Sequence, residues 1–328
     1  RDADWEKINH RSIATIYPPL SQLLFRGLAA AGVGAGGFRL ILGLLDFGVV
    51  LALLLLLLRT GRPVRRVLLY AWNPLAVMES SGSGHVEPLG VLLLVLSVTW
   101  LASSKPALSR SAAALAGSIH VKLVAVALLP GHLRRMNLPA VLVLVAVLAA
   151  LALPFALGGP LVGDGLDQYS RHWDRNAFIF YGLREGAEIL DTGNRLKPVV
   201  ERFGSERLYS LLWPRELAKI AVVAAAGLWI LWLVTRRLDP VTEGMWVLGG
   251  MLLLMPTVHP WYVLWVLPLA VACASPGWIL LSLTVSLAYL GGPEGLPAGI
   301  RLVEYGLPLA WIVPEGIRSL RRSASMEP

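Results

Sequence analysis

Two carboxylates and an imidazole crowd into nine positions of the stretch 72–90, WNPLAVMESSGSGHVEPLG: Glu79, His85 and Glu87. Between Glu79 and His85, the run Ser80-Ser81-Gly82-Ser83-Gly84 carries little bulk, and its glycines let the backbone come close to a ligand. The chemistry open to such a set is proton transfer, with a carboxylate as general base towards a hydroxyl. The neighbouring segments are greasy, and an ionisable side chain costs about 3 kcal/mol or more in hydrocarbon. The stretch is therefore either a solvent-exposed turn or a polar site on one face of a membrane.

Other chemically able residues lie far along the chain. Lys122 sits in LAGSIHVKLVAVALLP, Arg171 and His172 in Ser170-Arg171-His172-Trp173-Asp174, and His259 and Tyr262 in His259-Pro260-Trp261-Tyr262. Cations neutralise phosphate, and aromatic rings offer a flat apolar face to a sugar. Cations, carboxylates and aromatics on one face suit an anionic, lipid-linked or sugar substrate. Each residue also has a plain reading. Lys122 either contacts phosphate or snorkels to the interface. His259 either binds a ligand or caps a helix, Trp261, Tyr262 and Trp265 fit an interfacial aromatic belt, and the Ser170 motif fits an ordered loop. Asp46 pairs with Arg39 or with another helix, and Glu6 and His10 are solvated.

The elements that must position these groups are membrane helices. Of 328 residues 56% are hydrophobic and only 15% charged, against about 25% charged in soluble domains. The mean hydropathy is +0.65. We expect an all-α, polytopic transmembrane bundle forming one domain over 1–328. The net charge of +8 does not point to nucleic acid, because many arginines cluster at helix ends, as the positive-inside rule requires. Cys273 is the single cysteine, so no intrachain disulfide forms. GVGAGG at 32–37 lacks the strand and the Lys-Ser/Thr ending of a nucleotide loop. No zinc spacing and no Gly-x-Ser-x-Gly elbow occurs. No cofactor is required by these motifs, and a divalent metal stays open.

Taken in order, Tyr17-Pro18-Pro19 stops a polar start, and 20–36 is an interfacial or re-entrant helix. Residues 37–59 span towards Arg59, Arg62, Arg65 and Arg66. The chain returns through 64–80, delivers the Glu79 stretch to the external face, and goes back through 88–103. Residues 111–133 carry positive charge at both ends and so read as a broken pair turning near Ser118, His120 and Lys122, or else as a plain span with a basic loop on the wrong side. Residues 137–158 cross outwards. The polar region 159–213, with seven Lys/Arg and eight Asp/Glu, is external and too long to be an idle connector. Residues 214–235, 243–257, 261–274, 276–291 and 295–313 complete about eleven crossings, some half-length against the usual ~20 residues.

Taken together, Ile16-Tyr17-Pro18-Pro19-Leu20, Trp72-Asn73-Pro74, Gly84-His85-Val86-Glu87, Lys122 ahead of Pro130, and His259-Pro260-Trp261-Tyr262 resemble the GT-C superfamily of integral-membrane glycosyltransferases. The nearest likeness is to bacterial polyprenyl-phosphate-mannose-dependent mannosyltransferases and to glycosyltransferase family 87. The resemblance implies a polyprenyl-phosphate sugar donor, a lipid or glycan acceptor, inversion at the sugar carbon, and an active site on the external face of a bacterial plasma membrane. With the charged and aromatic residues read above, it leaves Tyr17, Asn73, Glu79, His85, Lys122, Arg171, His172, His259 and Tyr262 as the substrate-binding candidates. Family members carry an acidic base in the first external loop, after a first helix. This chain starts near the end of that loop, so the first helix and usual acidic motif are expected upstream. Asp2, Asp4 and Glu87 remain as catalytic candidates. The competing reading is a transporter or flippase using the same charged cavity without chemistry.

Overall fold

The computed structural model describes residues 15–157, 163–202, 209–291 and 295–324. Asp2, Asp4, Glu6 and His10 lie outside them, as does the side chain of His172. The described residues are helical and contain no named strand. Three helices are long and apolar enough to cross a membrane: α2 (Ala35–Arg59), α8 (Leu138–Ala156) and α12 (Pro214–Thr235). Only 33%, 11% and 22% of their most apolar windows are buried. Leu142, Val145, Leu153, Val223, Leu228 and Leu231 point outwards. Apolar surface on that scale calls for a nonaqueous neighbour.

The expected eleven crossings are not met helix by helix. The remaining apolar elements are short or composite: α5 (Glu87–Ala102), α6 (Leu108–Val121) and α13 (Pro240–Leu254) have 16, 14 and 15 residues. The weakly apolar start forms α1 (Pro19–Ala30), with Pro19 at its first position, where a missing N–H costs nothing. A turn over 31–34 separates it from α2, which begins two residues before the expected start. Ser21 Oγ donates to the Val121 carbonyl, 3.0 Å away, so α1 lies across the end of α6.

The helix break expected near Ser118, His120 and Lys122 falls at Lys122, whose φ of −155° and ψ of 132° end α6. A tight helical run, Leu123–Leu128, and α7 (Leu129–Leu133) follow. His132 Nε2 lies 3.1 Å from Ser97 Oγ, and Ser97 Oγ donates to the Ser111 carbonyl at 2.8 Å. Residue 132 is therefore level with the start of α6, and the chain has turned back on itself. At the same end Glu243 accepts from Arg134 at 2.9 Å and Arg135 at 2.8 Å, joining the hairpin to α13.

The polar region 159–213 is not an irregular loop in its described part. It forms α9 (Gly163–His172), α10 (Ile179–Ile189) and α11 (Thr192–Glu201). Asp174 accepts from Arg215 at 3.1 Å and Arg184 at 3.4 Å, fixing the segment between α9 and α10 to the start of α12. The last part packs α13, a tight turn Pro260–Trp265, α14 (Leu267–Cys273), α15 (Pro276–Thr284) continued by Val285–Leu290, and α16 (Ala298–Ala324). The core runs through α2, α5, α6, α13 and α14, with Trp265 and Trp278 its largest fully buried side chains.

Candidate active site

Four segments distant in sequence converge where α5 starts and α6 breaks. The first is the stretch entering α5. Asn73 caps α4 (Pro74–Val77) by accepting from Leu75 N, and its amide donates to Ser282 Oγ at 2.7 Å. Asn73-Pro74 is thus a helix-start signature, and its buried amide ties α4 to α15. The next turn, Met78–Gly82, widens to a π-helix, a local geometry frequent at functional sites. It aims the buried Glu79 carboxylate at His85 Nε2, 3.5 Å away, while Tyr289 OH donates to the other oxygen at 2.6 Å. Gly84, at φ 78°, makes the left-handed bend that sends His85 back over Glu79.

Glu87 opens α5 and is 1% exposed. Its Oε1 accepts from Lys122 Nζ at 2.5 Å; its Oε2 is buried with no partner among the described residues. Lys122 Nζ also lies 3.6 Å from the centre of the Tyr262 ring. The lysine emerges because the helix ends one residue before it, so its ammonium projects into the junction of α5, α6 and the 260–265 turn.

That turn supplies the aromatics. His85 and His259 both stack on Trp261, with ring centres 3.7 and 4.4 Å away and planes within 21° and 5°. His259 precedes the turn but makes no side-chain capping bond, which answers the capping alternative. Burial, then Lys122, Arg175 and His85, push its pKa down to about 4. Burial also lowers His85, against the pull of Glu87 and Glu79. Both rings are therefore neutral near pH 7. Tyr262 OH meets Tyr169 OH at 2.8 Å. Burial, with the Glu87 charge next, pushes Tyr17 up to about 12.

The segment after α9 is stitched to the same turn. Arg175 N donates to the Pro256 carbonyl at 3.2 Å, Val258 N to the Arg175 carbonyl at 2.8 Å, and Thr257 Oγ1 to the Trp173 carbonyl at 2.9 Å. This brings Arg175 close enough to act electrostatically on His259. Arg171 does not join them: its guanidinium is 68% exposed and paired with Asp167 one helical turn back, at 2.8 Å. The structure thus gathers Tyr17, Glu79, His85, Glu87, Lys122, His259 and Tyr262. Asn73 is drawn into helix capping and Arg171 faces outwards. Asp46 makes no ion pair with Arg39; it accepts from Tyr70 OH at 2.7 Å. The residues missed from sequence are Arg175, Tyr169 and Tyr289. Arg175 stood one position beyond the motif that drew attention to Arg171. The two tyrosines reach the site only through contacts 93 and 210 residues apart.

Among the described residues no group of three or more His, Cys, Asp or Glu side chains could hold a metal ion. The arrangement can instead present one buried ion pair, two neutral imidazoles on a tryptophan, and an exposed arginine. Such a surface can hold a phosphate by charge and a sugar ring by stacking.

Residues 209–303 match the family model of the MptB C-terminal domain, which belongs to mannosyltransferases. The matched segment includes His259, Trp261, Tyr262 and Tyr289, and it lends glycosyltransferase family 87 no support. No curated protein and no solved structure matches the chain.

Proposed function

We propose that this polytopic membrane protein transfers mannose, or a closely related hexose, from a polyprenyl-phosphate donor to a hydroxyl of a lipid or glycan acceptor. The observation that carries this reading is that the segment matching a mannosyltransferase domain folds its His259–Tyr262 turn onto Lys122 and Glu87. In this reading the cluster faces the extracytoplasmic side of a bacterial plasma membrane, where the lipid-linked donor presents its headgroup.

The acceptor oxygen forms a bond to the anomeric carbon as the bond from that carbon to the phosphate oxygen breaks. The electron pair leaves with polyprenyl phosphate. Lys122 and Arg175 stabilise the charge that grows on the phosphate, which is the step where fixed positive charge lowers the barrier most. Arg175 takes the role assigned from sequence to Arg171. Trp261, with His85 and His259, forms the platform for the sugar. The acceptor proton goes to a carboxylate. Glu87 is engaged by Lys122 and serves to aim it; Asp2, Asp4 and Glu87 are the candidates for the base.

The test is transfer of labelled mannose from polyprenyl-phosphate mannose by the protein in nanodiscs. Lys122→Ala and Arg175→Ala should each lower the rate by about a hundredfold, the usual loss for one fixed stabiliser of transition-state charge. Unchanged transfer by both variants would remove the cluster from the reaction.

A further inference from the structure

A second cleft runs along the helices, from the last turn of α13 to the opposite end of α12. It has a volume of about 700 Å³ and runs between α12, α13, α15 and α16, with Trp229, Trp232, Trp246 and Trp278 in its walls. Arg236 is the charged residue that lines it. Arg236 follows the last turn of α12, whereas the candidate active site follows the last turn of α13. The two helices are joined by a short connection, so the length of α13 sets Arg236 about 22 Å from the Lys122 cluster, at about 1.5 Å per residue.

The geometry of Arg236 is that of a cation awaiting an anion. Its guanidinium carbon sits 4.6 Å from the Trp232 ring centre, and its Nε is buried with no partner among the described residues. The acids at this end are already engaged. Asp239 is bonded to Arg62 at 3.0 Å, Glu243 is shared by Arg134 and Arg135, and Glu315 accepts from Ser275 at 2.6 Å. Arg237 and Arg318 are exposed at the same end, adding positive charge without supplying a partner.

The length of the cleft states what fits beside that cation. Along α12 it runs from Ala225 to Arg236, about 16 Å by helical rise, which is the depth of one leaflet of a ~30 Å hydrocarbon core. Ile179 of α10 lines the far end, so a chain in the cleft has its polar end at Arg236. We infer that this cleft binds an anionic glycerophospholipid, its phosphodiester on Arg236 and an acyl chain along the tryptophans, at the membrane face opposite the Lys122 cluster. The inference does not rest on the transferase reading.

The cleft tryptophans report on occupancy through quenching by bromine on an acyl chain. In nanodiscs, dibrominated phosphatidylglycerol should reach half-maximal quenching at a mole fraction about fivefold below that of dibrominated phosphatidylcholine, the preference expected of one basic residue. Arg236→Gln should bring the two half-points together. Arg236→Lys, which keeps the charge, should preserve the difference and shows that the loss is not one of folding. Val313→Phe, which fills the cleft from an exposed wall position, should weaken quenching by the phosphatidylglycerol. Equal half-points in the unaltered protein would overturn the inference, as would a preference that survives Arg236→Gln.

Discussion

Lys122 meets both sequence readings at once. Its ammonium is not loose at an interface, because Glu87 and the Tyr262 ring hold it, yet its side chain keeps 20% exposure through which a phosphate can approach. Removing one partner of such a pair leaves a buried, unpaired charge and costs about 3–5 kcal/mol. Lys122→Ala should therefore lower the melting temperature in detergent. Adding Glu87→Gln should restore much of that loss, because no charge is stranded. The same double variant should stay inactive, since the cation that meets the phosphate is gone. Recovery of stability and transfer together would make the pair merely structural.

His259 offers a second test at this scale. Its pKa lies at about 4, below the ordinary 6.5, because of burial and the cations Lys122 and Arg175. The unfolded chain therefore binds more protons there between about pH 4 and 6.5, and stability falls as the pH drops through that window. A carbon-labelled histidine titration followed by NMR, with the His259 signal assigned by His259→Asn, should show that imidazole still neutral at pH 5. Lys122→Met should move that titration upwards; no movement would place the two groups further apart than described.

The site depends on how closely α5 and α6 approach. Gly90 sits where they cross: Ser118 Oγ donates to its carbonyl at 2.9 Å. A Cβ there would meet Trp265 at 2.3 Å and Val121 at 3.0 Å. Val121 immediately precedes Lys122, so any shift is passed to the ammonium. Gly90→Ala should destabilise by about 1–3 kcal/mol, the range for overpacking, and reduce transfer. Gly227→Ala on α12 meets nothing within 4 Å and should be neutral or stabilising. Thermal melts of the two variants separate close packing from a general effect of adding a methyl group; similar melts would contradict the crossing described.

At this scale the sequence was readable where charge and hydropathy acted alone. α2, α8 and α12 fall close to the expected spans, and the break at Lys122 follows from basic residues at both ends of 111–133. What stayed hidden came from side chains choosing partners. Asn73-Pro74 looked like a substrate motif and is a helix cap, since cap and binding-site residues are of the same types. Arg171 looked like a phosphate ligand, but in the helical register of α9 it lies one turn from Asp167. Arg175 reaches the site because backbone bonds to Pro256 and Val258 pin it there, a pairing no local pattern announces.

Across the whole molecule, polar groups collect at two ends and apolar surface lies between them. Glu79, His85, Glu87, Lys122, His259 and Arg175 mark one end. Arg62, Arg134, Arg135, Asp239 and Glu243 mark the other, where the ion pairs join α7, α13 and the turn after α2. The proposed transfer site at one end and the inferred lipid-binding cation at the other fit a protein that crosses a bilayer. Whether the Lys122 cluster performs sugar transfer is decided by single-turnover transfer from labelled polyprenyl-phosphate mannose in nanodiscs. The unaltered protein is set beside the Lys122→Ala, Glu87→Gln double variant at matched melting temperature. Transfer is expected from the first and none from the second. Equal transfer by both would place the reaction elsewhere in the molecule and contradict the proposal.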